Sequence, residues 1–88
     1  MKRPERREEE YIHLVRLAWD LNVRGLSAAV DLPSGGGPVL LVAKGSGLLK
    51  VTALAQDGQW FFTWGRGRAQ QVRALADDAA DRVRQAVR

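Results

Sequence analysis

Residues 39–64 read VLLVAKGSGLLKVTALAQDGQWFFTW, and this stretch decides the fold. Apolar residues arrive in runs of strand length, 39–44, 48–55 and 60–64, with turn residues between them. In the middle run Leu49, Val51, Ala53 and Ala55 alternate with Leu48, Lys50, Thr52 and Leu54, the period of a pleated strand. In the last run Trp60, Phe62 and Trp64 share one face, and Phe61 and Thr63 share the other. Gly45-Ser46-Gly47 makes a short turn. Asp57-Gly58, between Gln56 and Gln59, favours the positive φ angles of a tight hairpin. Residues 39–44 are apolar on both faces, as expected of a strand covered on both sides.

Upstream, Leu26, Ala28, Val30 and Leu32 alternate with Ser27, Ala29 and Asp31, which predicts another strand over 26–32. Pro33-Ser34-Gly35-Gly36-Gly37-Pro38 breaks it from the next. Before that strand lies a helix. It starts after Pro4, its first turns carry Glu5, Glu8, Glu9 and Glu10 at the positive end of the dipole, and Gly25 stops it. Its apolar stripe is Tyr11, Leu14, Val15, Ala18 and Leu21, widened by Ile12 and Trp19. Trp19 is expected in the core or in helix–sheet packing, and Arg16 and Asp20 are expected to pair weakly on the outer side. Downstream, Gly65-Arg66-Gly67-Arg68 leads into a second helix predicted over 69–87, with Val72, Leu75, Ala76, Ala79, Val83 and Ala86 as its stripe. Asp78 with Arg82 and Asp81 with Arg84 would pair on its solvated side.

The expected fold class is therefore α+β in the order α-β-β-β-β-α: a four-stranded antiparallel meander with two helices packed mainly on one face. A charged N-terminus, residues 1–10, partly disordered or helical, precedes a single domain over 11–88.

Composition removes many function classes. The chain has 88 residues and no cysteine, so disulfide scaffolds, thiolate zinc sites, iron–sulfur centres and thiol nucleophiles are excluded. One histidine excludes a His-rich metal site. The longest apolar run, 39–43, is far short of the roughly 20 residues that a spanning helix needs, and the N-terminus lacks a signal-peptide apolar region. A cytoplasmic location is the expectation. His13 lies three and four residues after Glu10 and Glu9, and a nucleophile for it would have to come from Ser27, Ser34, Ser46, Thr52 or Thr63, none in a known elbow motif. Asp77, Asp78 and Asp81 cluster without other ligands to complete a metal site. No enzyme, cofactor or metal is expected.

Strands that are apolar on both faces pose a burial problem, because one layer of helices covers one face only. The uncovered face would reach the several hundred Å² that soluble monomers seldom exceed. A homodimer is the expected answer. The candidate interface residues are Leu40, Val42, Leu48, Leu54 and Phe61. The aromatic run 60–64 fits core, protein interface or ligand platform. The formal charge is +4, and most of the surplus lies in 65–88. Arg66, Arg68, Arg73, Arg82 and Arg84 are candidate anion or nucleic-acid contacts, and the Gly-Arg turn before a helix would offer N–H groups to phosphate. The expected function is a small non-enzymatic protein-interaction module, a homodimer that binds a partner through an apolar sheet face or edge. The alternative is a nucleic-acid-binding accessory protein using the basic C-terminal helix.

The order helix, strands, Gly-Arg-Gly-Arg, Ala-rich helix resembles a double-stranded RNA-binding domain over residues 48–80. That resemblance implies a second helix opening on a phosphate-gripping lysine pair. Here the matching stretch is Arg68-Ala69-Gln70-Gln71-Val72-Arg73, followed by Asp77 and Asp78. Gly25-Leu26, Pro38-Val39-Leu40-Leu41-Val42 and Trp60-Phe61-Phe62-Thr63-Trp64-Gly65-Arg66 also resemble small uncharacterised proteins of high-GC actinobacteria, over residues 14–88. That resemblance implies no activity.

Overall fold

Helix α1, Arg6–Val23, carries Glu8 and Glu9 in its first turn, where the helix dipole favours acids. It ends where the sequence predicts. Gly25 takes φ +89°, and the Leu26 N–H donates to the Leu21 carbonyl at 2.9 Å while the Gly25 N–H donates to that of Asn22 at 3.0 Å. These bonds satisfy the last carbonyls in a left-handed closing turn. The Asn22 side chain then reaches across the turn. Its Nδ2 donates to the Ala28 carbonyl at 3.0 Å and its Oδ1 accepts from the Ala28 N–H at 3.3 Å, which ties the helix end to the first strand.

The computed structural model describes residues 6–65, 67 and 70–87. After α1 come β1 (Ala28–Asp31), β2 (Val39–Lys44), β3 (Gly47–Gln56), β4 (Gln59–Thr63), β5 (Gln71–Arg73) and α2 (Ala79–Ala86). The class is α+β, and the strands form an antiparallel meander in chain order. There are five strands where four are expected. The β3–β4 hairpin turns through Asp57 and Gly58 at φ +52° and +78°, the positive pair that matches strand twist.

β3 is shared unevenly. Its first half pairs with β2, Leu40 opposite Val51 through Lys44 opposite Gly47. Its second half pairs with β4, Thr52 opposite Thr63 through Gln56 opposite Gln59. The two hairpins are thus staggered along one strand.

One core lies under one face of the sheet. Leu14, Leu17, Ala18 and Leu21 of α1 pack on Leu40, Val42, Val51, Ala53, Phe62 and Val72, and α2 adds Ala79, Ala80 and Val83. Both helices sit on this inner face, as expected, and among the described residues no layer covers the opposite face. That arrangement corrects several expectations. Residues 39–44 are not covered on both sides: Leu40 and Val42 are buried, whereas Val39 and Leu41 are half-buried. Leu40 and Val42 face inward because β2 sets them opposite Val51 and Leu49, so they belong to the core and not to a candidate interface.

The helices also differ from expectation. On α1 the buried line runs through Leu17, and Tyr11, Ile12, Val15 and Trp19 lie outside it. Trp19 is 68% exposed, not core. A narrow sheet accepts only part of a helix's circumference, and α1 has more apolar side chains than that arc holds. The predicted helix over 69–87 shortens to α2. Val72 instead pairs with Phe62 in β5, with Gln71 and Arg73 turned outward. The open edge of β4 offers backbone hydrogen bonds to this alternating Gln-Val-Arg segment, and local helix propensity yields to them. Leu75, placed on the helical stripe by sequence, lies exposed in the turn that follows.

Leu40→Ala is expected to lower unfolding free energy by about 2–5 kcal/mol, since it opens a cavity beneath α1. Leu48→Ala, on the open face, is expected to change it by less than about 0.5 kcal/mol. Urea denaturation of the two variants beside the parent checks both.

Candidate functional site

The open face of the sheet is built from the residues that alternate with the core. Ala29, Leu41 and Lys50 form one cross-strand row, and Leu54, Phe61 and Arg73 form another. Between them Thr52, Thr63 and Gln71 make a polar row, in which the two threonine hydroxyls lie 3.3 Å apart. Val39 sits opposite Asp31 at the β1 edge. Phe61, Leu41 and Val39 are half-buried, whereas Leu54 and Leu48 are exposed. Lys50 and Arg73 are exposed in separate rows, and among the described residues neither has a salt-bridge partner. The face is therefore mixed: Lys50 of the central strand and the threonine row separate Leu41 from Leu54 and Phe61, and Arg73 stands on the β5 edge.

Of the five candidate interface residues, the structure brings Leu48, Leu54 and Phe61 to this face and withdraws Leu40 and Val42. Leu41 and Val39, which the sequence leaves unassigned, belong to it. The aromatic strand divides by parity. Phe62 is buried, Trp60 and Trp64 lean half-buried into the inner side, and Phe61 alone is turned outward.

The arginine candidates do not converge among the described residues. Arg73 is on the outer face of β5. Arg82 lines a groove of about 450 Å³ with Lys44, Trp64, Gln70 and Gln85 on the other side of the sheet. Arg84 turns toward Asp81 at 4.0 Å, and Arg24 approaches the same carboxylate at 3.9 Å. Both are loose surface contacts of small energetic weight. Asp81 thus pairs with Arg84 as expected. No Asp78–Arg82 or Arg16–Asp20 salt bridge forms among the described residues. Arg66 and Arg68 lie outside the described residues. The segment after them, from Gln71, is a strand, so the Gly-Arg turn does not open a helix and loses the helix-dipole reason for binding an anion.

His13 lies beneath the aromatic strand. Its ring centroid is 5.2 Å from that of Trp60 with a 41° tilt, and 6.5 Å from that of Phe62 edge-on. It borders a cleft of about 240 Å³ with Arg16, Asp20, Phe62 and Asp77, smaller than the roughly 300–1,000 Å³ of most ligand sites. None of Ser27, Ser34, Ser46, Thr52 or Thr63 lines it. Thr52 and Thr63 are on the opposite face of the sheet. Among the described residues no group of His, Asp and Glu could hold a metal ion, and no helix is long and apolar enough to cross a membrane.

Burial holds the His13 imidazole below its ordinary value of 6.5, Arg16 lowers it further, and Glu9 opposes weakly. The folded protein therefore resists the proton that the unfolded chain accepts. The stability this confers is complete above pH 6.5 and is lost as pH falls from there through the lowered folded value. Urea midpoints measured between pH 7.5 and 5.5 are expected to fall on acidification, and to fall less in His13→Phe.

No protein family, no curated protein and no solved structure matches the chain.

Proposed function

We propose that this chain is a small non-enzymatic protein-interaction module that acts as a homodimer and takes a partner protein on the open face of its sheet. The observation that carries this reading is the outward pair Leu54 and Phe61, with Leu41 and Leu48 farther along the same face, on a sheet whose helices both lie on the other side. Outward apolar side chains left without a covering layer are costly in water and mark interaction sites. A half-buried, outward aromatic beside an exposed leucine and an arginine is a common form of interface anchor.

The face is favoured over the edges. β1 and β5, the edge strands, have four and three residues, and each offers little backbone for strand addition. The occupant is a protein segment with apolar side chains and acidic flanks. Lys50 and Arg73 supply the complementary charge, and the whole chain is basic. The dispersal of Arg73, Arg82 and Arg84 over separate surfaces supports a protein over a nucleic acid, whose phosphates would need them together.

Selection of a random peptide library on the immobilised protein tests the proposal. The recovered peptides should carry aromatic or aliphatic residues interspersed with Asp or Glu. Phe61→Asp and Leu54→Asp should each weaken them by roughly tenfold or more, in the range of a lost interface anchor. Affinity indifferent to both substitutions would refute the face as the site. A duplex RNA or DNA complex that dissolves steeply as salt rises would favour the nucleic-acid alternative instead.

A further inference from the structure

Helix α1 carries two apolar faces, and the core uses one. Leu14, Leu17, Ala18 and Leu21 are buried against the sheet. Tyr11, Ile12, Val15, Trp19 and Val23 recur at steps of one, three and four, and all are exposed. At about 100° per residue these five fall within an arc of about 120° adjoining the buried one. Leu32, exposed after β1, borders the same surface beside Glu8, Tyr11 and Ile12. From Tyr11 to Val23, about 18 Å of helix, the stripe runs past an indole that is 68% exposed. Nothing in the sheet or in α2 covers it.

We infer that this stripe is the homodimer interface: α1 packs against α1 of a second copy, antiparallel, about a two-fold axis at Val15. The inference rests on the homodimer in the function proposed above and names the surface that forms it. Charge selects the direction. Glu8 lies on the line of the stripe, one turn before Tyr11 and Ile12. Parallel helices would set Glu8 against Glu8. Antiparallel helices carry it instead to the closing turn of the second copy, opposite the uncharged Asn22. Opposed helix dipoles favour the same direction.

Side-chain size selects the axis. Val15 is the small residue between the bulky ends of the stripe, where two backbones approach most closely. A two-fold axis there brings Tyr11 of one copy opposite Trp19 of the other, twice over. An isologous pairing needs only this one self-complementary surface. Aromatic side chains remove roughly 150–250 Å² each when fully buried. Tyr11 is 41% and Trp19 68% exposed, so with Ile12, Val15, Val23 and Leu32 the surface left to cover is roughly 600 Å² per partner, the lower end of a standard stable interface. The sheet face is left free for the partner.

Sedimentation at micromolar concentration, with the full chain, is the test. The parent is expected at twice the chain mass. Trp19→Glu and Val15→Glu should be monomeric, with dissociation constants raised by roughly 30-fold or more, as for a lost interface anchor. Both residues are exposed, so far-ultraviolet circular dichroism and the urea midpoint extrapolated to high dilution should match the parent. Phe61→Glu should remain a dimer. The chain has no cysteine, so single cysteines report geometry directly. V15C should oxidise to a covalent dimer and E8C should not. A parent that is monomeric throughout overturns the homodimer and this interface together. A dimer broken by Phe61→Glu and not by Trp19→Glu overturns only the helix interface. Efficient E8C cross-linking without V15C overturns the antiparallel arrangement.

Discussion

The structure depends on one-sided burial. A five-stranded antiparallel sheet has two faces, and every helical residue that reaches the core does so from the same side. Leu14, Leu17 and Leu21 meet Leu40, Val42 and Val51, and these contacts set the parity of each strand. Once Leu40 and Val51 face each other inward, Leu41 and Lys50 must face outward together. Lateral pairing then passes the choice to β4, where Phe62 is in and Phe61 is out, and to β5, where Val72 is in and Arg73 is out. The chemistry of the open face is the complement of the core.

Much of this was legible in the sequence because it is local. Alternation in 48–55 and 60–64 predicts the partition of side chains between faces, Asp57-Gly58 predicts the hairpin, and Gly25 predicts the helix end. Which of two apolar parities faces the helices was not legible for β2, because Leu40 and Leu41 are chemically alike and only the register with β3 separates them. β5 was hidden for a different reason. Residues 70–76 fit a helical stripe as well as a short strand, and the exposed edge of β4, a tertiary feature, decides between them. The free face of α1 did leave a signal. Its apolar residues, with Leu17 included, cover more of the helix than a single contact can bury, and Trp19 is the excess. His13 shows the limit of linear spacing. Glu9 and Glu10 are near in sequence, but the ring's setting is made by Trp60 and Phe62, which the fold brings from the far end of the meander.

The two uncovered surfaces have different characters. The face of the sheet mixes Leu54 and Phe61 with threonines, Lys50 and Arg73. The outer side of α1 is a narrow aliphatic and aromatic ridge with an acidic start. They belong to opposite layers of the molecule, so occupation of one leaves the other accessible. A small domain buries only a modest fraction of its own surface, which leaves apolar side chains of this kind outside its core.

The division of β3 between its two neighbours has an evolutionary consequence. Because β2 holds only its first half and β4 only its second, the two hairpins are keyed to the strand through separate registers. One codon inserted between Val51 and Thr52 would leave the first hairpin in frame and turn the second inside out, sending Phe62 toward water and Phe61 toward the helices. Gain or loss of two residues there restores the frame at both ends. Length variation among descendants of this sequence should therefore come in pairs at the middle of β3, and singly only in the loops.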